Sequence, residues 1–202
     1  MKIGPKFKIA KRLGAPIFEK TQTQKFALSE AKQGRRSSRR PAPMSDYKRQ
    51  LIEKQKMRFS YGISEKQLRN YVDRAVEKSP QPISHLMENL EMRLDNTVYR
   101  LGLAGTRAMA RQMVSHGHVT VNGRKYTIPS HKVKIEDVIG VREGSRNTGL
   151  FTELAEKHEA AGVPAWLTFD IKTISGTVKD TPSYEPSVTM FDPEQVLEYY
   201  SR

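Results

Sequence analysis

The sequence predicts an α+β protein, with a largely helical lobe, a small helix–helix–hairpin module and an extended basic arm at the N-terminus. Three observations carry this reading. Apolar residues recur at helical spacing between residues 46 and 116. An Asn122-Gly123 pair stands between two short alternating segments, the pattern of a tight β-hairpin. Charge is segregated as well: residues 1–60 hold 17 Lys/Arg against 4 Asp/Glu, the whole net charge of +13, while residues 61–202 balance at 18 against 18.

The elements follow in order. Residues 1–45 read as the arm, because Gly4-Pro5, Gly14-Ala15-Pro16 and the run from Gly34 to Pro41 lack an apolar period. Such a composition is disordered alone, so ordering by a partner is expected. A helix over Asp46–Arg58 carries Tyr47, Leu51 and Met57 among Lys48, Arg49, Lys54, Lys56 and Arg58, and Tyr61-Gly62 ends it. Ser64 and Gln67 form a capping box for a second helix, with Leu68, Tyr71, Val72 and Ala75 on one face. Ser79-Pro80-Gln81-Pro82 breaks it. A third helix starts near Ser84, lines up Leu86, Leu90, Leu94, Val98 and Leu101, and stops at Gly102.

Thr106 then caps a short helix over Arg107–His116, closed by Gly117. His118–Val121 alternates like a half-buried strand, the hairpin turns at Asn122-Gly123, Arg124–Ile128 returns, and Asp137–Val141 adds a further strand. Residues 92–145 thus form the small α+β module, and residues 46–91 with 146–202 the helical lobe. Residues 146–202 are mildly acidic, with 5 Lys/Arg against 9 Asp/Glu. They predict a helix over Thr152–Ala161, short strands over Trp166–Phe169 and Ile174–Val178, and a last helix opened by Asp192-Pro193 with Gln195 three residues on from the cap. Val196, Leu197 and Tyr200 give that helix its apolar face. No internal repeat is visible.

The charge points to a polyanion, because each Lys or Arg that meets a phosphate releases a condensed counterion. A membrane is disfavoured: the arm has no amphipathic helix with an aromatic face, no stretch approaches the roughly 20 apolar residues of a span, and Met1–Phe7 has no signal core. With no cysteine, a disulfide framework and thiolate metal sites are excluded. His116 and His118 stand two apart without a third ligand nearby, so RNA contact or plain exposure is expected rather than a metal, and no cofactor is expected.

Nucleic acid is favoured by a convergence within the module. Arg93, Asn96 and Arg100 share one helical stripe, and Arg107 and Arg111 share another with Gln112 and Ser115 nearby. The hairpin presents Asn122, Arg124 and Lys125, and Leu94, Val98, Met109 and Met113 can close a core behind. Ordinary solvated faces are the competing reading. RNA is favoured over DNA because no long base-reading helix stands out, whereas small modules with a basic arm suit folded RNA read by shape, phosphates and 2′-hydroxyls. Tyr47, Tyr61, Tyr71 and Tyr99, interleaved with cations, are placed to stack on bases, although Tyr71 and Tyr99 also lie on apolar faces.

Met92-Arg93-Leu94-Asp95-Asn96-Thr97-Val98-Tyr99-Arg100-Leu101-Gly102, followed by Thr106–Gly123, closely resembles the family of small-subunit ribosomal protein four in its bacterial and organellar form. The resemblance covers nearly the whole chain. It takes in Gly4-Pro5-Lys6, Ser45-Asp46-Tyr47, Glu53-Lys54-Gln55-Lys56, Tyr61-Gly62, Arg69-Asn70-Tyr71, Pro129-Ser130, Val141-Arg142-Glu143, Trp166-Leu167, Gly176-Thr177 and Glu198–Arg202. It implies an RNA-binding module of the alpha-L type, direct binding to the 5′ domain of small-subunit ribosomal RNA early in assembly, contact with small-subunit protein five at an interface linked to decoding accuracy, and a place on the messenger entry side. It also implies the ribosome, cytoplasmic or organellar, as its location. The candidate RNA-binding residues, read from the arm, the cation-rich helices and the module, are Lys6, Lys8, Lys11, Arg12, Arg35, Arg36, Arg39, Arg40, Tyr47, Lys48, Lys54, Lys56, Arg58, Tyr61, Arg69, Arg93, Asn96, Arg100, Arg107, Arg111, Gln112, Ser115, His116, His118, Asn122, Arg124 and Lys125. Many relatives carry a zinc-binding cysteine cluster near the N-terminus. This chain has none and resembles the zinc-free form. Relatives also commonly show Pro-Gly-x-His-Gly before the Ser-Asp-Tyr motif, where this chain reads Ala31–Arg36, so that histidine's contact does not carry over.

Two rivals share the module. An RNA-modifying enzyme such as a pseudouridine synthase is echoed by Arg93-Leu94-Asp95, but the triplet lies inside the module and a separate catalytic domain is absent. Asp95 is expected to pair with a neighbouring Arg or to cap a loop. A tyrosyl-tRNA synthetase is excluded because no nucleotide-binding region precedes the module. A free-standing RNA chaperone is usually short and lacks the arm and the capped last helix.

Overall fold

Helices α1 (Lys6–Leu13) and α2 (Gln24–Gly34) open the computed structural model, which describes residues 3–34, 44–146, 148, 162–186 and 189–201. The chain divides into two compact units, Met1–Ile83 with Glu185–Arg202, and Ser84–Tyr184.

The first unit departs from the expected irregular arm. α1, a 3₁₀ turn at Glu19–Thr21 and α2 enclose a small core of Ala10, Leu13, Ala15, Ile17, Phe18 and Phe26. Phe7 meets Phe26 edge-on at 5.4 Å between ring centroids, and Phe18 meets Phe59 likewise at 6.3 Å. The lysines contribute to this packing: Lys6 lies over the Phe18 ring at 5.6 Å, and Lys11 Nζ donates to Ser29 O and Oγ at 3.0 and 2.7 Å. Long cationic side chains bury their stems along apolar surface and keep their heads in water, so a segment rich in Lys can still hold a core.

Helix α3 (Asp46–Tyr61) supplies Ile52 and Phe59 to that cluster. Helix α4 (Glu65–Lys78) opens on the expected capping box, Ser64 Oγ accepting from Gln67 N at 3.2 Å and Gln67 Oε1 from Ser64 N at 3.1 Å. The C-terminal helix, Pro193–Tyr200, is capped by Asp192 Oδ1 on Glu194 N at 2.9 Å and lies along α3. Polar bonds fasten it there: Gln50 Nε2 donates to Glu198 Oε2 at 2.8 Å, and Asp192 N to Glu53 Oε2 at 3.0 Å. Tyr200 Oη donates to Glu65 Oε1 at 2.7 Å. Burial pushes the Glu65 carboxyl up, but bonds from Lys54 and Tyr200 and the charges of Lys54 and Arg58 outweigh it and hold Glu65 below the usual carboxylate range. Burial and the same bond to Glu65 push the Tyr200 phenol well above its ordinary value.

In the second unit the expected single helix from Ser84 to Leu101 is two. α5 (Pro82–Glu91) ends at Met92-Arg93, and α6 (Leu94–Arg100) begins after Arg93, whose φ of −72° and ψ of 137° are extended. The break is stabilised by strand-like pairing: Arg93 bridges Lys132, Val133 N donates to Met92 O at 2.9 Å, and Leu94 N to His131 O at 2.8 Å. Leu86, Leu90, Leu94, Val98 and Leu101 are all fully buried, so the apolar period survives although the helix does not.

Helix α7 (Arg107–His116) has the expected caps, Thr106 Oγ1 accepting from Met109 N at 3.1 Å and Gly117 closing it at φ 75°. Strands β1 (Val119–Val121), β2 (Arg124–Lys125), β3 (Val138–Val141), β4 (Leu167–Asp170) and β5 (Ser175–Val178) form one antiparallel sheet in the order β2-β1-β3-β5-β4. The hairpin turns at Asn122 and Gly123, both at positive φ, as the Asn-Gly signal requires. Val119, Val121, Ile139, Val141, Leu167 and Val178 meet Leu94, Val98, Leu101, Ala110, Met113 and Val114 in one core. After β3 comes a short helix, α8 (Glu143–Arg146), and the C-terminal helix is therefore α9.

The module is thus larger than 92–145. Strands β4 and β5, assigned by sequence to the helical lobe, pair with β3 through Val138↔Thr177 and Ile139↔Gly176. Pairing gives β3 a neighbour on its second side and buries Leu167 and Val178, which a helical lobe would leave without a sheet to join. The expected helix over Thr152–Ala161 lies outside the described residues.

Gly176 is where α6 rests on the sheet. A Cβ there would collide with Leu101 Cδ2 and stand 2.7 Å from Thr168 O, a backbone atom that cannot yield without loosening β4. Gly176→Ala is expected to cost about 1–3 kcal/mol by overpacking, seen as a lower unfolding midpoint in denaturant. An unchanged midpoint would mean that the sheet accommodates the methyl group.

Candidate nucleic-acid interface

The module's arginines are held by side chains of the module itself. Asp95, only 2% exposed, accepts Arg93 Nε at 3.0 Å on Oδ1 and Nη2 at 2.9 Å on Oδ2. The same Oδ2 takes Arg111 Nε at 2.8 Å and Nη2 at 2.7 Å. Glu91 holds Arg100 in a two-point grip, Oε2 to Nε and Oε1 to Nη2, both 2.8 Å. Asn96 Nδ2 donates to Glu91 Oε2 at 2.8 Å, and its Oδ1 accepts Arg107 Nε at 2.8 Å. Arg107 also lies over the Tyr99 ring at 4.5 Å. Asp95 therefore pairs with neighbouring arginines, as expected, and is not an exposed carboxylate.

This corrects part of the predicted stripe. Arg93 and Asn96 are 3% and 2% exposed, so they cannot meet a polyanion directly. Helical spacing placed them with Arg100, but Arg93 precedes α6 as its extended cap, and Asn96 turns inward to bridge Glu91 and Arg107. Arg100, Arg107 and Arg111 reach the surface in part, and Gln112 and Ser115 are exposed.

A second group gathers where α7 meets the hairpin. Arg124, Lys125 and His116 are exposed. Lys125 runs directly across Gly117, where a Cβ would overlap its Cε; that flexible chain end can move aside, so the site favours glycine for its positive φ of 75°. The His116 and His118 rings stand 6.1 Å apart, and His118 Nδ1 lies 3.0 Å from Ser145 Oγ. Asn122 is committed to the fold: Nδ2 donates to Asp137 Oδ1 and Oδ1 accepts Val138 N, both at 2.8 Å. Sequence reasoning missed Arg142 and Arg146, exposed beside this group, with Arg142 N donating to His118 O at 2.9 Å. Their signal was the β3–α8 junction, since a residue ending β3 pairs back onto the start of β1.

In the first unit Lys8, Arg12 and Lys48 are exposed, and Tyr47 is 51% exposed with its ring 5.8 Å from Tyr199. Arg69 is exposed beside Asp73 at 3.8 Å, Lys56 is tied to Glu53 at 2.7 Å, and Lys6 and Lys11 are part-buried in the N-terminal cluster. Three expected contacts fall inside the protein or at its edge. Lys54 is buried, bonded to Glu65 at 2.8 Å and set over the Tyr199 ring at 4.3 Å. Tyr61 is 3% exposed and packs on Phe191. Arg58 is half-buried over Phe59 and 3.6 Å from Glu65. The alternation of cations with Tyr in α3 is thus partly the seat of α9. Arg35, Arg36, Arg39 and Arg40 lie outside the described residues. Among the described residues there is no group of three or more His, Asp or Glu fit for a metal, and no helix is long and apolar enough to cross a membrane.

Residues 92–139 match the S4 domain, and residues 1–92 match the Ribosomal protein S4/S9 N-terminal domain. The small ribosomal subunit protein uS4 of Chloroflexus aurantiacus is 42% identical over 205 residues, covering 99% of this chain and 98% of the relative. Those of Chromobacterium violaceum and Akkermansia muciniphila are 40% and 39% identical, covering 99% and 98% of this chain and 98% of each relative. The fold, with a helix pair on a small sheet in one unit and helices in the other, agrees with both domain matches, and the chain belongs to the family of small ribosomal subunit protein uS4.

Proposed function

We propose that this chain is a structural, non-catalytic protein of the small ribosomal subunit that binds the 5′ domain of small-subunit ribosomal RNA directly and early in assembly. The observation that carries the reading is cationic. The entire net charge of +13 falls in residues 1–60, and within the remainder, which balances as a whole, the module turns Arg100, Arg107, Arg111, Arg124 and Lys125 to its surface. Near-complete alignment with relatives named for the small subunit supports the ribosome as its location. The family resemblance supports small-subunit protein five as a protein neighbour, a contribution with it to decoding accuracy, and messenger RNA at the entry side.

Footprinting of the purified chain on protein-free small-subunit RNA tests this, together with its sedimentation with small-subunit particles. Protection confined to the 5′ domain is expected; uniform weak protection, or recovery only in the soluble fraction, would overturn the reading. Arg124→Ala with Lys125→Ala is expected to weaken binding at least tenfold, because bonds to charged groups contribute about 1.5–3 kcal/mol each. It should also flatten the salt dependence by about one unit of slope per lost phosphate contact. Unchanged affinity and slope would remove the hairpin from the interface.

A further inference from the structure

We infer that Glu91 and Asp95, acting with Asn96, are positioning residues that hold Arg100, Arg107 and Arg111 in fixed orientation, so that an RNA backbone meets a preset row of guanidinium groups. The inference rests on the RNA-binding reading above and assigns roles within that surface. Two acids close to cations on one face each cancel positive charge that would attract a polyanion, and the pairing of Asp95 with buried Arg93 does not account for its grip on Arg111. Their depth resolves this. Glu91 and Asp95 are 7% and 2% exposed, whereas the side chains of Arg100 and Arg111 are 31% and 27% exposed, so the acids lie behind the cations.

The grip is directional as well as electrostatic. Arg100 presents Nε and Nη2 to the two oxygens of Glu91, the fork geometry that fixes both the plane and the direction of a guanidinium, and Arg111 directs its Nε and Nη2 together at the single oxygen Asp95 Oδ2. Arg107 is fixed differently, by Asn96 Oδ1 at its Nε and the Tyr99 ring against its face. Asn96 is itself held by Glu91, through both Oε2 and the backbone oxygen. One acid therefore orients two arginines. An arginine ordered in advance loses less rotamer freedom on binding, an advantage of about two- to tenfold in affinity per side chain.

Positioning and simple adhesion predict different results for variants that keep or raise the positive charge. Glu91→Gln breaks the grip on Arg100 and the relay through Asn96. Arg100→Lys keeps the cation but cannot make the fork, and its partial exposure lets it fold even if Glu91→Gln does not. Full-length variants, with helicity checked by circular dichroism, would be titrated with small-subunit RNA and with an unrelated RNA duplex across a salt series. Both are expected to bind small-subunit RNA two- to tenfold more weakly, with the salt slope retained, and to bind the unrelated duplex no more weakly than wild type. Parallel losses on both RNAs, or wild-type affinity of Arg100→Lys for small-subunit RNA, would overturn the inference. A triple Arg100→Gln, Arg107→Gln, Arg111→Gln chain separates the two claims. If it binds weakly while Arg100→Lys binds normally, positioning alone fails; if it binds normally with an unchanged slope, this face is not an RNA surface and both fail.

Discussion

Asp95→Asn is expected to destabilise the protein by about 3–5 kcal/mol, the cost of removing one partner from a buried ion pair. The substitution barely changes volume, so the loss isolates charge and hydrogen-bond polarity. Asp95 serves two guanidiniums with one carboxylate, and Arg93, 3% exposed, cannot recover hydration when that charge is lost. Asparagine would also turn an NH₂ donor toward one of two donors that need an acceptor. The site further ties chain segments together: Asp95 N donates to Pro129 O at 3.0 Å, beside the Arg93–Lys132 bridge. Chemical denaturation at low and high salt reads the effect, and because the pair is dry, salt should change it little. Arg93→Met with Asp95→Leu should recover most of the loss, since apolar pairs of similar size often replace buried ion pairs without cost. A single-variant loss under about 1 kcal/mol would show that Arg93 is adequately served by its other contacts.

Local signals in the sequence mark the starts of α4, α7 and α9, the end of α7 and the hairpin turn. Ser64 with Gln67, Thr106, Gly117, Asn122-Gly123 and Asp192-Pro193 all act within a few residues, so their chemistry is visible without the fold. Two kinds of feature were not visible. The break at Arg93 depends on Lys132 and His131, some forty residues away, and an unbroken leucine period passes straight through it. Membership of β4 and β5 in the module sheet is likewise long-range, since a short strand does not announce its neighbour.

The candidate interface shows the same division. Exposure of Arg124, Lys125, Gln112 and Ser115 follows from their places on a hairpin and a helix. The inward turns of Arg93, Asn96 and Lys54 do not follow from residue type, because a cation is exposed by default and is buried only when a particular acid waits for it. Asp95 is that acid for Arg93 and Glu65 for Lys54, while Glu91 draws the Asn96 amide inward, and neither glutamate stands out in a chain read for positive charge.

The N-terminal segment is where local reading failed most, and it yields the second large effect. Phe26→Ala should cost about 3–5 kcal/mol, as expected when a buried aromatic ring is truncated in a core that cannot collapse around the gap. Phe26 is 3% exposed, meets Phe7 edge-on at 5.4 Å, and belongs to a cluster with six buried members among the described residues. A core that small has no reserve, so the loss should exceed the cluster's own stability and unfold it as a unit. Hydrogen exchange gives a direct reading: amides of α1 and α2 should lose protection together, while those of β1 and β3, in a separate core, keep theirs. Circular dichroism should show a matching drop in helicity. Retained protection in α1 and α2 would mean that the cationic segment is held by something other than its phenylalanines. Uniform loss across both cores would mean that the N-terminal cluster does not unfold independently.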